Sequence, residues 1–199
     1  MRIISGKWRS HRIASEGRTA RPTTDRTRQV LFDIVGGRIE GARVLDLFAG
    51  SGALGLEALS RGAAFAILVD QDPKATAGIR KNISALAAQE ITEVWTRRVG
   101  SALQELEKRE ERFDWIFADP PYGKGEDVRL LSRIGGKERA LLRNGGRFVI
   151  EVSSRAPLAP DTGTLELERE RTLGGTSLRF YRQNDENPTR GESEDGRDT

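Results

Sequence analysis

The chain has 199 residues, which is long enough for one α/β domain with extensions. Its formal net charge is +3. It has no cysteine, which excludes disulfides, thiolate nucleophiles and cysteine-bound zinc. Its single histidine, His11, argues against histidine-based triads and multi-histidine metal sites. We therefore expect no metal. No apolar run approaches the roughly 20 residues of a membrane helix, and the basic start lacks the apolar core of a signal peptide, so we expect a cytoplasmic protein without membrane partners.

Charge is distributed unevenly, because residues 1–37 are rich in arginine and residues 184–199 are acidic. A basic head favours a polyanionic partner, although it could also serve only as a solubilising arm. We interpret His11 as solvated or RNA-facing, and the acidic tail as disordered. Trp8 lies among arginines, where stacking on a nucleotide is plausible. The candidate RNA contacts are Arg2, Lys7, Trp8, Arg9, Arg12, Arg21, Thr23 and Arg26.

The first predicted helix follows Thr24 or Asp25, either of which can cap it, and ends at Gly36. Its apolar residues recur at helical spacing, so one face should pack on the domain. We expect Arg26 and Arg28 to point away from that face.

Strands and helices alternate from residue 43 onward, which predicts a parallel sheet covered on both faces. The predicted strands are Arg43–Phe48, Ala64–Asp70, Ile91–Arg97, Phe113–Ala118 and Gly146–Val152. The predicted helices are Ala53–Ser60, Lys74–Ala88 and Ser101–Lys108, with one or two more within Glu126–Arg143. We expect residues 38–183 to form this domain.

The pattern changes near the end, where Leu165–Thr172 and Ser177–Tyr181 flank a turn with two central glycines. The sheet should therefore end in an antiparallel pair. Trp95 and Trp115 lie inside apolar strand runs, and we expect both in the core.

The stretch Arg43–Gly55, RVLDLFAGSGALG, passes from an apolar strand into glycine and small residues. A Cβ at Gly50, Gly52 or Gly55 would clash or forbid the dihedrals of a tight turn. Because glycine has no Cβ, the backbone can bend sharply there and approach a ligand closely. This predicts a nucleotide-sized site, although glycine-rich turns also arise for structural reasons. The candidate cofactor contacts here are Asp46, Phe48, Ala49, Gly50, Ser51 and Gly52.

Ligands of open parallel sheets lie beyond the carboxyl ends of the strands, where Asp70 and Asp119 also fall. Asp70 follows the glycines at the spacing typical of a carboxylate that binds ribose hydroxyls, and Gln71 would flank an adenine. Asp72 directly precedes Pro73 and suits a helix cap better. Asp119 is therefore a candidate for both cofactor and substrate.

A dinucleotide and S-adenosylmethionine both fit this edge of the sheet. Asp46 would repel a pyrophosphate, whereas it is well placed to receive the ammonium of S-adenosylmethionine. The second motif, Phe113–Tyr122, ends in Asp-Pro-Pro-Tyr, which has no evident role in hydride transfer. We therefore expect S-adenosylmethionine as the cofactor.

The Asp-Pro-Pro-Tyr loop suits methylation of a planar exocyclic amine, although it could also be an ordinary turn. The amine lone pair is delocalised into the base ring, and two acceptors aimed at its hydrogens would draw the nitrogen toward tetrahedral geometry. Asp119 and the carbonyl of Pro120 are the natural pair, since the Pro120-Pro121 doublet fixes the loop. Tyr122 offers a face for a base swung out of its helix or loop.

With these motifs in view, the chain resembles class I S-adenosylmethionine-dependent methyltransferases, and most closely the RsmD family. The resemblance runs from Arg2 to about Tyr181, and its most specific pieces are Arg2–Arg9, Arg21–Arg26, Asp46–Gly62 and Asp119–Tyr122. It implies a Rossmann-like α/β fold with a seven-stranded, mostly parallel sheet and an antiparallel last strand.

The resemblance also implies methylation of N2 of one guanine, guanine 966, in bacterial 16S ribosomal RNA within an assembled or assembling small subunit. It implies a cofactor contact from Asp70 and target contacts from Asp119 to Tyr122, and we expect a monomer. One departure concerns the adenine contact after the third strand, where Ser101 or backbone groups would have to serve. The alternatives are an amine methyltransferase acting on DNA or protein glutamine, and an RNA-binding homologue without catalysis.

Overall fold

The computed structural model describes residues 1–15, 24–121, 125–136, 141–159 and 162–184. The predicted contacts Arg21, Thr23 and Tyr122 lie outside these ranges. The predicted disordered tail also lies outside them from residue 185 onward.

A seven-stranded sheet runs through the described part of the chain. Its strands are β1 (Arg43–Leu47), β2 (Phe65–Asp70), β3 (Thr92–Thr96), β4 (Phe113–Ala118), β5 (Leu142–Ser153), β6 (Leu165–Leu173) and β7 (Thr176–Gln183). Their order is β3-β2-β1-β4-β5-β7-β6, and β1 to β5 pair in parallel. Because β7 is antiparallel to both of its neighbours, the predicted antiparallel end of the sheet is confirmed.

Helices cover both faces of this sheet. In the described ranges they are α1 (Asp25–Val35), α2 (Ala53–Ser60), α3 (Pro73–Ala85), α4 (Val99–Lys108) and α5 (Glu126–Ile134), with 3₁₀ turns at Gly36–Ile39 and Gln89–Ile91. Two predicted caps are confirmed, since the Thr24 hydroxyl accepts from the Thr27 N–H at 3.1 Å and the Asp72 carboxylate accepts from the Lys74 N–H at 2.9 Å.

Two hydrophobic layers lie on opposite faces of the sheet. Val44 and Phe117 belong to the layer that packs under α1, α2 and α3, whereas Leu45 and Ile116 belong to the layer under α4 and α5. Burial on both faces explains the continuous apolar runs of the central strands. In the described ranges no helix is long and apolar enough to span a bilayer.

Several sequence predictions about element ends and burial are wrong. Helix α3 stops at Ala85, because Ala87 takes a positive φ of 50°. Residues 141–143 are not helical, since Leu142 begins β5 and pairs with Phe113. Trp115 is buried as predicted. Trp95 is only half-buried, because β3 is an edge strand. The guanidinium carbons of Arg97 and Arg109 each lie 5.0 Å from the Trp95 ring centroid.

The N-terminal residues 1–14 fold back on themselves and pack along α2. Arg2 and Arg12 form an antiparallel bridge, and the Ile3 N–H donates to the His11 carbonyl at 2.9 Å. Gly6 has a φ of +83°, and a Cβ on it would overlap the Ser60 carbonyl at the end of α2. Glycine is therefore required where this N-terminal hairpin (residues 1–14) meets the helix.

Glu57 of α2 holds the hairpin in place. Its fully buried carboxylate accepts from the N–H groups of Ile4 at 2.7 Å and Ser5 at 3.0 Å, and from Arg61 Nε at 2.8 Å. Arg28 Nε lies 3.9 Å from the same carboxylate.

The sequence prediction that Arg28 points away from the domain is wrong. Its side chain is fully buried, and Nη2 donates to the Arg2 carbonyl and to Asp25. Burial lowers the pKa of Arg28, which the nearby carboxylates of Glu57 and Asp25 counteract. Helix α1 thus anchors the hairpin, while Arg26 on the same helix is exposed.

Candidate active site

The glycine turn between β1 and α2 is fixed by Asp70 at the end of β2. Asp70 Oδ2 accepts from the Gly50 N–H at 2.8 Å, and Oδ1 accepts from the Asp72 N–H at 2.8 Å. Gly50 and Gly52 have φ values of 56° and 77°, in the left-handed region that glycine adopts readily. Phe48 precedes them with a φ of 60°, so the backbone reverses sharply as it leaves β1.

Two of the three glycines are required by close packing of α2 on β2. A Cβ on Gly52 would lie 3.0 Å from Leu68 Cδ2, and one on Gly55 would lie 2.9 Å from the same atom. Helix α2 therefore rests directly on β2. The predicted crowding of a Cβ at Gly52 and Gly55 is confirmed, and their close approach to a ligand stays a prediction.

Asp46 is buried, with 1% of its surface exposed, and its Oδ2 accepts from the Gly55 N–H at 2.9 Å. Burial raises the pKa of Asp46 to about 7; the Gly55 hydrogen bond opposes this shift, and the neighbouring carboxylates of Asp119 and Asp70 add to it. The predicted ammonium acceptor is thus an interior group bonded to the first turn of α2. Its coupling to Asp119 and Asp70 shows that three carboxylates share this region.

Strand register brings these groups to one edge of the sheet. Across the neighbouring strands β2, β1, β4 and β5, the residues that pair near the strand ends are Val69, Leu47, Ala118 and Ile150, in that order. The residues that follow them directly are Asp70, Phe48, Asp119 and Glu151. The predicted convergence of Asp70 and Asp119 at the carboxyl edge is therefore confirmed.

The Asp-Pro-Pro loop follows β4 and borders a small cleft with an internal volume of about 50 Å³. Pro120 is buried, whereas Asp119 and Pro121 are half-buried. The cleft is lined by Pro120, Pro121, Asp127, Glu151, Val152, Ser153 and Ala156. The cleft therefore lies directly beside the predicted catalytic loop.

The remaining predicted cofactor contacts differ in accessibility. Gln71 and Ser101 are exposed, the latter in the first turn of α4. Ala49 and Ser51 are buried, and the Ala49 N–H already donates to the Val69 carbonyl at 2.9 Å. Ala49 and Ser51 therefore shape the turn, whereas Gln71 and Ser101 remain accessible to a ligand.

The predicted RNA contacts that the structure describes lie on the N-terminal hairpin and α1. The exposed ones are Arg2, Lys7, Arg9, Arg12 and Arg26. Trp8 is half-buried against the core, with Lys7 Nζ 4.1 Å from its ring centroid. The hairpin borders the glycine turn, since Asn82 Nδ2 donates to both the Ala14 and Ser51 carbonyls.

Two functionally placed carboxylates were missed by the sequence reasoning. Glu57 holds the N-terminal hairpin, and Glu151 lines the cleft beside the prolines. Each is a single acid inside an apolar run, ALGLEALS for Glu57 and RFVIEVS for Glu151. An acid in such a setting must be paired or functional, and this was the signal available.

This sheet order, with a glycine turn after β1, an acid ending β2 and an Asp-Pro-Pro loop after β4, defines a class I methyltransferase fold. A family model described as "Conserved hypothetical protein 95" matches residues 1–182. The chain belongs to this family, the RsmD family of methyltransferases.

Individual relatives agree with this assignment. The chain is 38% identical over 184 residues to "Putative rRNA methyltransferase YlbH" of Bacillus subtilis, covering 92% of this chain and 99% of that one. It is 35% identical over 188 residues to "Ribosomal RNA small subunit methyltransferase D" of Escherichia coli, covering 92% and 90%. A solved structure, "Putative methyltransferase yhhF from Escherichia coli", superposes with a TM-score of 0.80 at 32% identity, covering 94% and 99%.

S-adenosylmethionine is the cofactor that this family and fold imply, and the residues present fit it. Asp70 presents a carboxylate whose two oxygens are each oriented by a backbone N–H, beside a turn held open by positive φ angles. Within the described ranges, no group of three or more His, Asp or Glu side chains is arranged to hold a metal ion.

Proposed function

We propose that this chain transfers the methyl group of S-adenosylmethionine to the exocyclic N2 of a guanine in 16S ribosomal RNA, at guanine 966. The observation that carries the proposal is the placement of the Asp119-Pro120 loop on the strand next to β1, whose turn Asp70 anchors. We further propose that it acts as a monomer on the assembling or assembled small subunit in the cytoplasm.

Asp70 is the residue we assign to the ribose of the cofactor. Its two oxygens keep lone pairs after accepting from Gly50 and Asp72, and those lone pairs can accept from ribose hydroxyls. The exposed Gln71 can flank the adenine, with Ser101 across the same edge. When bound, the cofactor supplies an electrophilic methyl group on its sulfonium, and transfer requires alignment but no metal.

Asp119 and Pro120 are the residues we assign to the target amine. The carboxylate and the carbonyl each accept one N2 hydrogen, which reduces delocalisation of the lone pair into the guanine ring. The Asp119 carboxylate would also accept the proton that the nitrogen releases once it carries the methyl group. Pro121 keeps the loop rigid. Tyr122, which the sequence places directly after it, provides the ring on which the target guanine stacks.

The N-terminal hairpin and α1 are proposed to hold the RNA. Their exposed cations lie on a segment that reaches the glycine turn, so phosphate contacts there would position the substrate without reading its sequence. On the basis of the sequence alone, we also assign Arg21 and Thr23 to contacts with the RNA.

Labelled S-adenosylmethionine with small-subunit particles, duplex DNA and a ribosomal protein extract tests the proposal. We expect label in 16S RNA, recovered as N2-methylguanosine after digestion and mapped to guanine 966. Label in DNA or polypeptide would instead support another amine methyltransferase. Absence of both label and cofactor binding by calorimetry would support an RNA-binding homologue without catalysis.

A further inference from the structure

Glu151 stands level with Asp119 at the carboxyl edge of the sheet, on the adjacent strand. Ile150 of β5 pairs with Ala118 of β4, and Glu151 and Asp119 follow them directly. Neighbouring strands lie about 4.8 Å apart, so Glu151 lies next to the residue that opens the Asp-Pro-Pro loop. Glu151 also lines the cleft formed by Pro120 and Pro121.

The Glu151 carboxylate is oriented by β7. The Thr176 hydroxyl lies 2.9 Å from Glu151 Oε1 and donates to it, and it is 3.3 Å from the Val152 carbonyl. Ser153 pairs with Thr176 in the β5–β7 ladder, which fixes the hydroxyl relative to the carboxylate. A half-buried acid on a rigid strand is thus presented beside the loop assigned to the amine.

Guanine differs from the other amine-bearing bases at the ring nitrogen next to the amine. Its N1 carries a hydrogen, whereas adenine N1 and cytosine N3 are acceptors. A carboxylate facing that nitrogen accepts a hydrogen bond from guanine and repels the lone pair of adenine or cytosine. A site built this way rejects the wrong base strongly, because the half-buried carboxylate would be left facing an acceptor.

We propose that Glu151 selects guanine by accepting a hydrogen bond from its N1–H while Asp119 and Pro120 hold the N2 amine. This rests on the proposed function, and it assigns base selection to a carboxylate separate from the pair that activates the nitrogen.

The test compares guanine with 2-aminopurine at the target position of reconstituted small-subunit RNA. 2-Aminopurine keeps the 2-amine but has an acceptor at N1. The enzymes are wild type, Glu151→Gln, Asp127→Asn at the other cleft carboxylate, and the control Glu166→Gln, which makes the same change as Glu151→Gln at an exposed β6 position away from the cleft. The readout is kcat/KM for each base, with cofactor affinity measured on each variant.

We expect wild type and Glu166→Gln to prefer guanine by about 10-fold to 100-fold. In Glu151→Gln an amide hydrogen can be donated to N1 of 2-aminopurine, so the preference should fall toward unity while cofactor affinity is kept. An unchanged preference would overturn the inference. A fall seen in Asp127→Asn instead would assign selection to the other cleft carboxylate and would equally overturn it.

Glu151→Asp provides a second variant should the glutamine variant fail to fold. It keeps the charge but withdraws it by one methylene, so turnover of guanine should drop about tenfold or more with cofactor affinity unchanged. Full turnover would count against Glu151. Failure of wild type to form N2-methylguanosine would refute the proposed function itself, which separates the two failures.

Discussion

Asp46 of β1 accepts a hydrogen bond from the Gly55 N–H of α2 at 2.9 Å, across the glycine turn that separates the two elements. This bond joins the end of a central strand to the first turn of the helix that follows it. It also places an ionisable group inside the protein, close to Asp70 and Asp119. The turn that we assign to the cofactor is therefore supported by a carboxyl group that titrates near neutral pH.

Asp46 should make stability depend on pH between about 4 and 7. Its pKa is raised from 3.8 to about 7 in the folded protein, so across this window the folded state binds more protons than the unfolded state. Its favourable contribution is complete below about pH 4 and is lost as pH rises through about 7. Asp46→Asn keeps the acceptor for Gly55 but cannot titrate. Urea unfolding of both proteins at about pH 4.5 and about pH 8 should show wild type losing a few kcal/mol relative to the variant; parallel pH profiles would refute the assignment.

Glu57 should be essential for docking the N-terminal hairpin. Glu57→Gln leaves the buried Arg28 without its full counter-charge and removes one acceptor from the Ile4 and Ser5 N–H groups. Breaking a buried ion pair in this way costs about 3–5 kcal/mol. Denaturant unfolding gives the loss, and hydrogen exchange should show the Ile4 and Ser5 amides exchanging faster.

A matched control for Glu57 is Glu105→Gln, which removes a half-buried carboxylate at the surface, paired with Arg109 one turn away. We expect its unfolding midpoint to stay close to wild type. Equal effects from the two variants would mean that the buried carboxylate has no special role.

Most of the fold was predictable because the central strands are continuous apolar runs and the turns carry glycine or proline. The glycine turn, the Thr24 and Asp72 caps and the antiparallel end all follow from local chemistry that the structure retains. The carboxyl-edge convergence of Asp70 and Asp119 followed from the alternation of strands and helices.

What the sequence did not show depends on long-range packing. Arg28 lies on a helix with many polar residues. It is buried because the N-terminal hairpin and Glu57, which are distant in sequence, pack against it. Trp95 sits in an apolar run, but β3 is an edge strand and its ring packs between two arginines. Local pattern does not reveal which strand ends a sheet or which charge another element covers, and Glu151 was missed for the same reason.

Asp70 should control cofactor affinity. Asp70→Asn replaces one oxygen that accepts from Gly50 or Asp72 by an amide donor and removes the negative charge facing the ribose hydroxyls. Charged hydrogen bonds of this kind are worth about 1.5–3 kcal/mol, so the Kd for S-adenosylmethionine should rise about 10-fold to 100-fold. Calorimetry measures it. Asp72→Asn is the control, because asparagine caps α3 equally well and affinity should be unchanged; a loss in both variants would point to general disruption of the loop.

Asp119 activates the target amine in the proposed reaction, and single-turnover methyl transfer by Asp119→Ala at saturating S-adenosylmethionine measures its contribution. Alanine offers no acceptor to the amine hydrogens, so the rate of N2-methylguanosine formation on small-subunit particles should fall about 10²-fold to 10³-fold. Calorimetry should meanwhile show cofactor affinity within about threefold of wild type, since Asp70 and the glycine turn are untouched. A variant that transfers methyl groups at the wild-type rate would show that Asp119 does not activate the amine.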